Sequence, residues 1–270
     1  MWQECLETAR AAARAAGVLL RRHAGRPGEV RHKGSYIDLV TEVDRAAEQL
    51  IYRHIHRRFP GHTFLGEEAT VHRLAARKTA YRWIVDPIDG TTNFVHGVPT
   101  FAVSIGVEER GRLVAGLVYD PMRRAEFTAI AGGGARLNGR RIRVSRVRRL
   151  QDALLSTGFA PRFRNDPAPF LARFVDFQRT THAVRRNGST AISLAYVAAG
   201  RFDGFWESDV HPWDIAAGVL LVREAGGRVT DYHGRPATAD HPHIIASNGA
   251  LQRLMLRIVN RRQVHLHFGR

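Results

Sequence analysis

Hydrophobic residues at the start of the chain recur at intervals of three or four, the spacing that places side chains on one face of a helix. This stripe consists of Trp2, Leu6, Ala9, Ala13, Ala16 and Leu20. Gly25 and Pro27 interrupt it, so the first predicted helix ends before them. A second stripe predicts a helix over residues 42–58, which Pro60 and Gly61 end.

Short apolar runs separated by turn residues occupy the middle of the chain. They predict strands over residues 81–85, 101–107, 113–119 and 126–130. Tight turns join several of these strands, and strands joined in this way pair in opposite directions. The middle of the chain is therefore predicted to form an antiparallel sheet.

Beyond the glycine cluster at 132–134, the pattern changes to an alternation of strands and helices. Predicted helices cover 170–179, 191–199, 215–224 and 250–259, and predicted strands cover 153–156, 203–206, 227–230 and 243–246. The change places a boundary near Val144, with an α+β half over residues 1–143 and an α/β half over residues 144–270. No linker separates the halves, so we expect them to pack closely with a site between them.

The composition is that of a globular protein. With 270 residues, 44% of them hydrophobic, the chain can bury a substantial core. Its single cysteine, Cys5, cannot form an internal disulfide, and the N-terminal region lacks the uncharged core of a signal peptide. No apolar run is long enough to span a bilayer. We expect a soluble cytoplasmic protein without membrane association.

The formal net charge of +16 raises nucleic acid as a partner, because clustered basic side chains attract phosphate. All but two of the 41 basic residues are arginine, the exceptions being Lys33 and Lys78. A coding bias toward arginine produces the same skew, so a solvated basic surface is the simpler interpretation. The run 140–149 predicts a strand with arginines on one face, either a partner surface or an exposed edge protected by charge.

The segment from Trp83 to Phe94 carries the most informative chemistry. An apolar strand ends there in two carboxylates, Asp86 and Asp89, and the residues from Gly90 onward can start a short helix. Free N–H groups at a helix start can receive a phosphate. The two carboxylates would then hold cations in front of that anion.

Two further acidic sites have similar surroundings. Glu67 and Glu68 follow an apolar strand-like run, and Asp214 precedes the predicted helix over 215–224. Each alone is typical of a solvated or capping group. Together with Asp86 and Asp89, these carboxylates can form an oxygen-only site suited to a hard cation such as Mg²⁺.

Five motifs, in this order, make the chain resemble the inositol monophosphatase family. They are Asp38-Leu39-Val40-Thr41-Glu42-Val43-Asp44, Gly66-Glu67-Glu68, Asp86-Pro87-Ile88-Asp89-Gly90-Thr91-Thr92-Asn93-Phe94, Gly133-Gly134-Ala135-Arg136-Leu137-Asn138-Gly139 and Trp213-Asp214-Ile215-Ala216-Ala217-Gly218. The third motif with the downstream Trp-Asp pair is highly specific. The resemblance implies a mixed α+β and α/β fold, a layered α-β-α-β-α sandwich of the inositol monophosphatase and fructose bisphosphatase type, usually dimeric.

The resemblance also implies a phosphomonoesterase with two or three Mg²⁺ ions per site. Glu67, Asp86 and the Ile88 carbonyl would bind the first ion, and Asp86, Asp89 and Asp214 the second. Most of these ligands belong to the N-terminal half, whereas Asp214 belongs to the C-terminal half together with the substrate contacts. Lithium would inhibit by occupying a magnesium site.

Roles in catalysis and substrate binding follow from the same resemblance. Glu67 and Thr91 would assist direct attack of a metal-activated water, with Asp44 supporting Thr91 and Lys33 acting from further away. The residues that would contact the phosphate or the substrate hydroxyls are Gly90, Thr91, Thr92, Gly188, Ser189, Thr190 and Glu207.

The substrate is expected to be inositol monophosphate or a similar compact polyol phosphate. Histidinol phosphate, 3'-phosphoadenosine 5'-phosphate and fructose bisphosphate are the rivals, which the metal motifs do not separate. Thr190 is bulkier than the residue common at this position, and the segment 186–191 contains no aromatic residue for an adenine ring. The alternative is a non-catalytic role as a partner of RNA or a transcription complex through the arginine-rich surface.

Overall fold

The computed structural model describes residues 1–26, 28–32, 39–68, 79–159 and 161–261. The α-helices of these ranges are α1 Trp2–His23, α2 Glu42–Arg58, α3 Thr91–Val95, α4 Ala168–Thr180, α5 Thr190–Ala198, α6 Pro212–Glu224 and α7 Gln252–Val259. None of these helices is both long and apolar enough to cross a bilayer.

Strands occupy both halves of the chain. The first nine are β1 Val30–His32, β2 Leu39–Thr41, β3 Thr63–Gly66, β4 Tyr81–Asp89, β5 Ala102–Glu109, β6 Arg112–Asp120, β7 Ala125–Ile130, β8 Gly134–Leu137 and β9 Arg140–Arg141. The remaining strands are β10 Leu154–Thr157, β11 Ala183–Arg185, β12 Gly204–Ser208, β13 Arg228–Thr230 and β14 His243–Ser247.

The larger sheet has seven strands in the order β3-β4-β5-β6-β7-β8-β9. All neighbouring pairs are antiparallel except β3 and β4, so the predicted antiparallel pairing is confirmed for the four strands on which it was based. The helices α1 and α2 cover one face, where Leu20 and Ile51 share a core with Trp83 and Val103. This core buries the first stripe, apart from the half-buried Trp2, together with Val43, Ala47, Ile51 and Ile55 of α2.

The smaller sheet has five strands in the order β11-β10-β12-β14-β13, with both parallel and antiparallel pairs. Helices α5 and α6 lie between the two sheets, and Leu194 and Leu220 share one core with Val118 and Phe205. Helices α4 and α7 cover the outer face. The chain therefore folds into the predicted five-layer α-β-α-β-α sandwich, while its division at residues 143 and 144 stays a prediction.

The arginine-rich run 140–149 forms a strand for two residues only, Arg140–Arg141. The prediction of a strand over the whole run is wrong, because the chain leaves the larger sheet there and crosses toward the end of α6. The backbone N–H of Val144 donates to the carbonyl of Ala225 at 3.2 Å and holds this crossing in place. The arginines of the run are nevertheless all exposed.

Helix α6 approaches the larger sheet closely because glycines face it. A Cβ atom on Gly106 in β5 would lie 2.6 Å from Cβ of Ala216, and one on Gly116 in β6 would lie 3.1 Å from the carbonyl oxygen of Ala217. The missing side chains let α6 rest against the strands. This contact places Asp214, in the first turn of α6, beside the end of β4.

We expect Gly106→Ala to lower the free energy of unfolding by about 1–3 kcal/mol, because the added methyl group overlaps Ala216 in a packed core. Urea unfolding followed by circular dichroism measures this loss. Gly61→Ala is the matched control, since a Cβ atom at Gly61 meets no atom within 4 Å. Equal losses in the two variants would contradict a close approach at Gly106.

Candidate functional site

The end of β4 carries two buried carboxylates, Asp86 and Asp89. The pairing of β4 with β5 shifts register between them, which marks a bulge in the strand. The carboxylate of Asp86 accepts the backbone N–H of Ile88 at 2.9 Å. The irregular strand end thus brings both carboxylates close to the start of α3.

Gly90 and Asn93 connect α3 to a distant loop. Gly90 has a φ of +100°, and a Cβ atom there would lie 3.0 Å from the carbonyl oxygen of Gly188 and 3.1 Å from that of Thr100. Asn93 Nδ2 donates to the Thr100 carbonyl at 2.7 Å and to the Asn187 carbonyl at 2.8 Å. The start of α3 therefore lies directly against the loop that precedes α5.

Asp44, in the first turn of α2, lies beside Thr91. Its Oδ2 accepts the backbone N–H of Thr41 at 2.8 Å and the Thr41 hydroxyl at 2.6 Å, which completes a capping box. The Thr91 hydroxyl lies 3.3 Å from Asp44 Oδ1 and 3.0 Å from the Ile88 carbonyl. The fully buried Asp44 carboxylate thus links the starts of α2 and α3.

Four carboxylates from three parts of the chain come together near these residues. Glu67 follows β3, Asp86 and Asp89 end β4, and Asp214 lies in α6. The Glu67 side chain hydrogen-bonds to Asp86. Burial, followed by the negative charges of Glu67, Asp89 and Asp214, holds the pKa of Asp86 well above its ordinary range. The four groups are therefore close enough to repel each other.

Asp214 is positioned by the start of α6. Its Oδ2 accepts the backbone N–H of His211 at 2.7 Å, and Ser104 in β5 donates to the Trp213 carbonyl at 3.2 Å. Burial raises the pKa of Asp214 well above its ordinary value, and the charge of Glu67 adds to this effect. The hydrogen bond at the start of α6 thus holds the Asp214 carboxylate close to the acidic residues at the ends of β3 and β4.

Asp89 is tied to the start of α5. Its Oδ2 accepts the hydroxyl of Ser189 and, at 2.6 Å, the backbone N–H of Ala191, while Oδ1 accepts the N–H of Thr190 at 3.2 Å. Burial raises the pKa of Asp89 to about 6, although these hydrogen bonds act in the opposite direction. Asp89 therefore joins the carboxylate cluster to the loop before α5.

A cavity of about 120 Å³ lies beside Asp89. On its wall, the Thr190 hydroxyl donates to Glu207 Oε2 at 2.6 Å. The guanidinium carbon of Arg186 lies 5.3 Å from the centre of the Phe159 ring, and both side chains line the cavity. The cavity therefore offers a carboxylate, hydroxyls, a cation and an aromatic face to a small polar ligand.

Glu207 is a second titrating carboxylate on the wall of this cavity, besides Asp89. Burial raises its pKa from the ordinary 4.5 to about 7, while the hydrogen bond from Thr190 and the charge of Arg186 oppose the rise. The folded protein thus holds this proton more tightly than the unfolded chain does. Its contribution to stability is fully present below about pH 4.5 and is lost as the pH rises through about 7.

We expect Glu207→Gln to remove about 3 kcal/mol of the pH dependence of stability, the value that a shift from 4.5 to about 7 implies. Urea unfolding in EDTA at pH 4.5 and pH 8 would measure it, with wild type losing more stability between the two pH values. Glu7→Gln, at an exposed position on α1, is the control and should behave as wild type. A parallel pH dependence in wild type and Glu207→Gln would contradict the assignment.

The carboxylate cluster fits a hard divalent cation in residue type and charge. No basic side chain is among the main influences on the pKa of Asp86, so a cation would relieve a repulsion that the chain itself leaves unbalanced. Within the described ranges, no group of three acidic, histidine or cysteine side chains already stands in a metal-ligating arrangement.

The predicted site residues fall into two adjoining groups. Around the cluster lie Asp44, Glu67, Asp86, Ile88, Asp89, Gly90, Thr91 and Asp214. Beside the cavity lie Gly188, Ser189, Thr190 and Glu207. Thr92 is exposed in the first turn of α3, and Lys33 lies outside the described residues.

Phe159 is a cavity residue that the motifs do not contain. It supplies the aromatic ring that the segment 186–191 lacks. One feature of the sequence could have identified Phe159: it lies just after the predicted strand over 153–156. Residues that follow neighbouring parallel strands lie at the same edge of the sheet, where binding sites form. The local sequence does not reveal that this edge faces Glu207, since the pairing of β10 with β12 is a long-range contact.

Comparisons with known proteins agree with this architecture. The Nus factor SuhB of Pseudomonas aeruginosa is 44% identical over 269 residues, covering 98% of this chain and 97% of that protein. The inositol-1-monophosphatase of Mesorhizobium japonicum is 44% identical over 224 residues, covering 83% and 84%. The crystal structure of the extragenic suppressor protein suhB from Bartonella henselae superposes with a TM-score of 0.89 at 40% identity, covering 96% of this chain and 99% of that one.

The family model described as the inositol monophosphatase family matches residues 1–264. This range contains every acidic residue of the cluster and the whole cavity. With a match over nearly the entire chain and relatives above 40% identity, the protein belongs to the inositol monophosphatase family.

Proposed function

We propose that this protein is a magnesium-dependent phosphomonoesterase that hydrolyses inositol monophosphate or a similar compact polyol phosphate. The observation that carries the proposal is the buried cluster of Glu67, Asp86, Asp89 and Asp214 next to Thr91. Membership of the inositol monophosphatase family supports it, as does a relative named inositol-1-monophosphatase.

Two or three Mg²⁺ ions would be held by the cluster. Glu67, Asp86 and the Ile88 carbonyl would bind one, Asp86, Asp89 and Asp214 would bind the other, and Glu67 would share a third. When bound, such ions polarise phosphoryl oxygens and lower the pKa of water. The repulsion among the carboxylates supports this assignment, because divalent cations would neutralise the negative charge that causes it.

The residues of the chain would divide the remaining tasks. Glu67 would take up the proton of the attacking water. The Thr91 hydroxyl would assist by accepting a hydrogen bond from that water, while Asp44, in the first turn of α2, orients Thr91 by accepting its hydroxyl. Gly90 and Thr92, at the start of α3, would orient the phosphate. Attack by water is direct in this proposal.

Cys5 is poorly suited to an alternative covalent route. Its side chain is fully buried in α1, and burial raises the pKa of its thiol to about 11. A thiol with so high a pKa is protonated at neutral pH and is a weak nucleophile. This supports hydrolysis without a cysteinyl intermediate.

The cavity supports a compact, hydroxyl-rich leaving group. Glu207 can accept a hydrogen bond from a substrate hydroxyl that displaces Thr190, and a site built for such a bond discriminates against ligands without it. Gly188 and Ser189 line the same wall. Its volume of about 120 Å³ favours a small ring over a nucleoside, although Phe159 provides an aromatic face.

A panel of phosphate monoesters assayed with Mg²⁺ tests the substrate. We expect kcat/KM for inositol 1-phosphate to exceed those for histidinol phosphate, 3'-phosphoadenosine 5'-phosphate and fructose 1,6-bisphosphate, and EDTA to stop turnover. A higher kcat/KM for phosphoadenosine phosphate would overturn the substrate and leave the phosphatase standing. No metal-dependent hydrolysis of any of them would overturn the enzymatic proposal.

A second candidate function is contact with RNA or a transcription complex. It is favoured by the exposed arginines of the run 140–149 and by relatives named Nus factor SuhB. Fluorescence anisotropy with a labelled RNA at several salt concentrations tests it. Binding that weakens with salt and falls in a variant with Arg146, Arg148 and Arg149 changed to glutamine would support it, and unchanged binding would contradict this surface.

Other properties implied by the family remain predictions. We propose that the protein forms a homodimer, works in the cytoplasm and is inhibited by Li⁺ at a magnesium site. Light scattering after size-exclusion chromatography measures the first, and turnover at tens of millimolar Li⁺, an order-of-magnitude level for competition between hard cations, measures the last.

A further inference from the structure

A second cavity, of about 450 Å³, lies at the opposite end of α6 from Asp214. It is open to solvent on one side and is lined by the start of β6, the end of α6, strand β13 and the segment 236–239. Leu113, Leu220 and Val229 contribute apolar side chains to its lining. The rise of an α-helix places Arg223, on its wall, about 13 Å along α6 from Asp214. The cavity is therefore separate from the candidate active site.

Arg223 is the main polar group of this wall. Its guanidinium donates to the Ala237 carbonyl, and it forms no ion pair with any carboxylate in the described part of the chain. Burial lowers the pKa of Arg223, with no opposing influence from a nearby acid. A partly buried cation without a carboxylate partner is costly, and an anion in the cavity would offset that cost.

The acidic side chain in the lining of the cavity is already engaged elsewhere. Glu224 also lines the cavity, but its two oxygens accept the backbone N–H groups of Gly132 and Gly134, each at 2.8 Å. Arg112 and Arg228 add two exposed basic side chains to the rim. The charge around the opening is thus positive, while the floor is apolar.

We propose that this cavity binds a small organic anion, with a carboxylate or phosphate head on Arg223 and an apolar body against Leu113, Leu220 and Val229. Arginine presents several donors in a planar array that matches both head groups. The apolar floor distinguishes this ligand from a free inorganic ion. The cavity volume of about 450 Å³ is within the usual range for small-molecule sites.

Isothermal titration calorimetry on the full chain tests the proposal with benzoate, phenylphosphonate and neutral benzyl alcohol. Comparing the two anions distinguishes a carboxylate ligand from a phosphate ligand. Each titration is run with Mg²⁺ and with EDTA. The comparison separates the two sites, because binding in the Arg223 cavity should not need a metal. In EDTA we expect one saturable site per chain for each anion, and no saturable binding of benzyl alcohol. With Mg²⁺ the Kd for benzoate should be unchanged, whereas phenylphosphonate should also bind the active site.

Arg223→Gln should weaken anion binding about tenfold or more, the effect of losing one charge-assisted hydrogen bond. Arg223→Lys keeps the charge but loses the planar array of donors, so it should bind more weakly than wild type and more tightly than Arg223→Gln. Thermal unfolding of each variant checks that a folding defect is not the cause. Arg140→Gln, at an exposed position on β9, is the matched control and should bind as wild type.

Several results would overturn the proposal. One is that wild type shows no saturable binding of either anion. Another is that wild type binds the anions only when Mg²⁺ is present, which would place the ligand in the active site. Equal weakening in Arg140→Gln and Arg223→Gln would indicate diffuse attraction to the basic surface. Wild-type affinity in a folded Arg223→Gln variant would show that the Arg223 guanidinium does not bind the anion.

Discussion

Asp214→Asn is expected to lower kcat roughly 10²- to 10³-fold or more, the scale for losing one group that stabilises charge in the transition state. In the proposed site, Asp214 is the only magnesium ligand from the C-terminal half. Asparagine keeps the shape and one oxygen but loses the negative charge that a hard cation requires. Initial rates at saturating inositol 1-phosphate over a series of Mg²⁺ concentrations would measure the loss.

The same variant should be more stable than wild type when metal is absent. Because the pKa of Asp214 is raised in the folded state, the wild-type carboxylate costs stability as the pH rises through that pKa. Asparagine removes this cost, so urea unfolding in EDTA at pH 8 should show a gain. Added Mg²⁺ should then stabilise wild type much more than Asp214→Asn.

Asp89→Asn and Asp166→Asn complete the comparison. Asp89→Asn should lose turnover as Asp214→Asn does, although its hydrogen bonds to Ser189 and Ala191 make a stability gain smaller. Asp166 is exposed, and its replacement should change neither property. Near-normal turnover of Asp214→Asn at limiting Mg²⁺ would exclude Asp214 as a ligand.

Thr91→Val is expected to lower kcat by about 10²- to 10⁴-fold, the range for removing a group that takes part in proton transfer. Valine has nearly the same shape, so packing at the start of α3 should survive. The hydroxyl that lies 3.3 Å from Asp44 Oδ1 and 3.0 Å from the Ile88 carbonyl is lost. Kinetics with inositol 1-phosphate and Mg²⁺, together with a thermal unfolding curve, would separate catalysis from stability.

Thr91→Ser is the matched control because it restores the hydroxyl and removes only the methyl group. We expect it to retain most of the wild-type kcat. Similar kcat values for Thr91→Val and wild type would show that the hydroxyl takes no part in proton transfer. Similar large losses in the serine and valine variants would instead indicate that the methyl group positions α3.

Local sequence patterns predicted the helices and strands well, because the spacing of apolar residues within each element depends only on residues that are close in sequence. The stripe over Trp2 to Leu20 is the buried face of α1, and the apolar run 113–119 lies inside β6. Element ends were less well predicted. β4 runs past Val85 to Asp89 because a bulge allows pairing with β5 to resume after Asp86.

The arginine run 140–149 illustrates where a local pattern misleads. Alternating arginines are compatible with a strand, but a strand forms only where a neighbour offers backbone hydrogen bonds. Arg140 and Arg141 pair with β8, and Ile142 donates one more backbone hydrogen bond, at 3.0 Å, to the Ala135 carbonyl of that strand. The remaining residues cross between layers, and that path depends on how α6 packs.

The sequence by itself determined the helices, the antiparallel sheet, the family and the identity of the acidic groups, because periodicity and motif order are properties of neighbouring residues. The motifs also predicted that Asp214 meets Asp86. Tertiary structure alone decided that Phe159 joins Glu207 in one cavity and that Arg223 lies partly buried without an acidic partner in the described ranges. These contacts depend on which faces of distant elements pack together. The raised pKa values of the cluster follow from that packing, since burial and mutual repulsion arise only once the layers assemble.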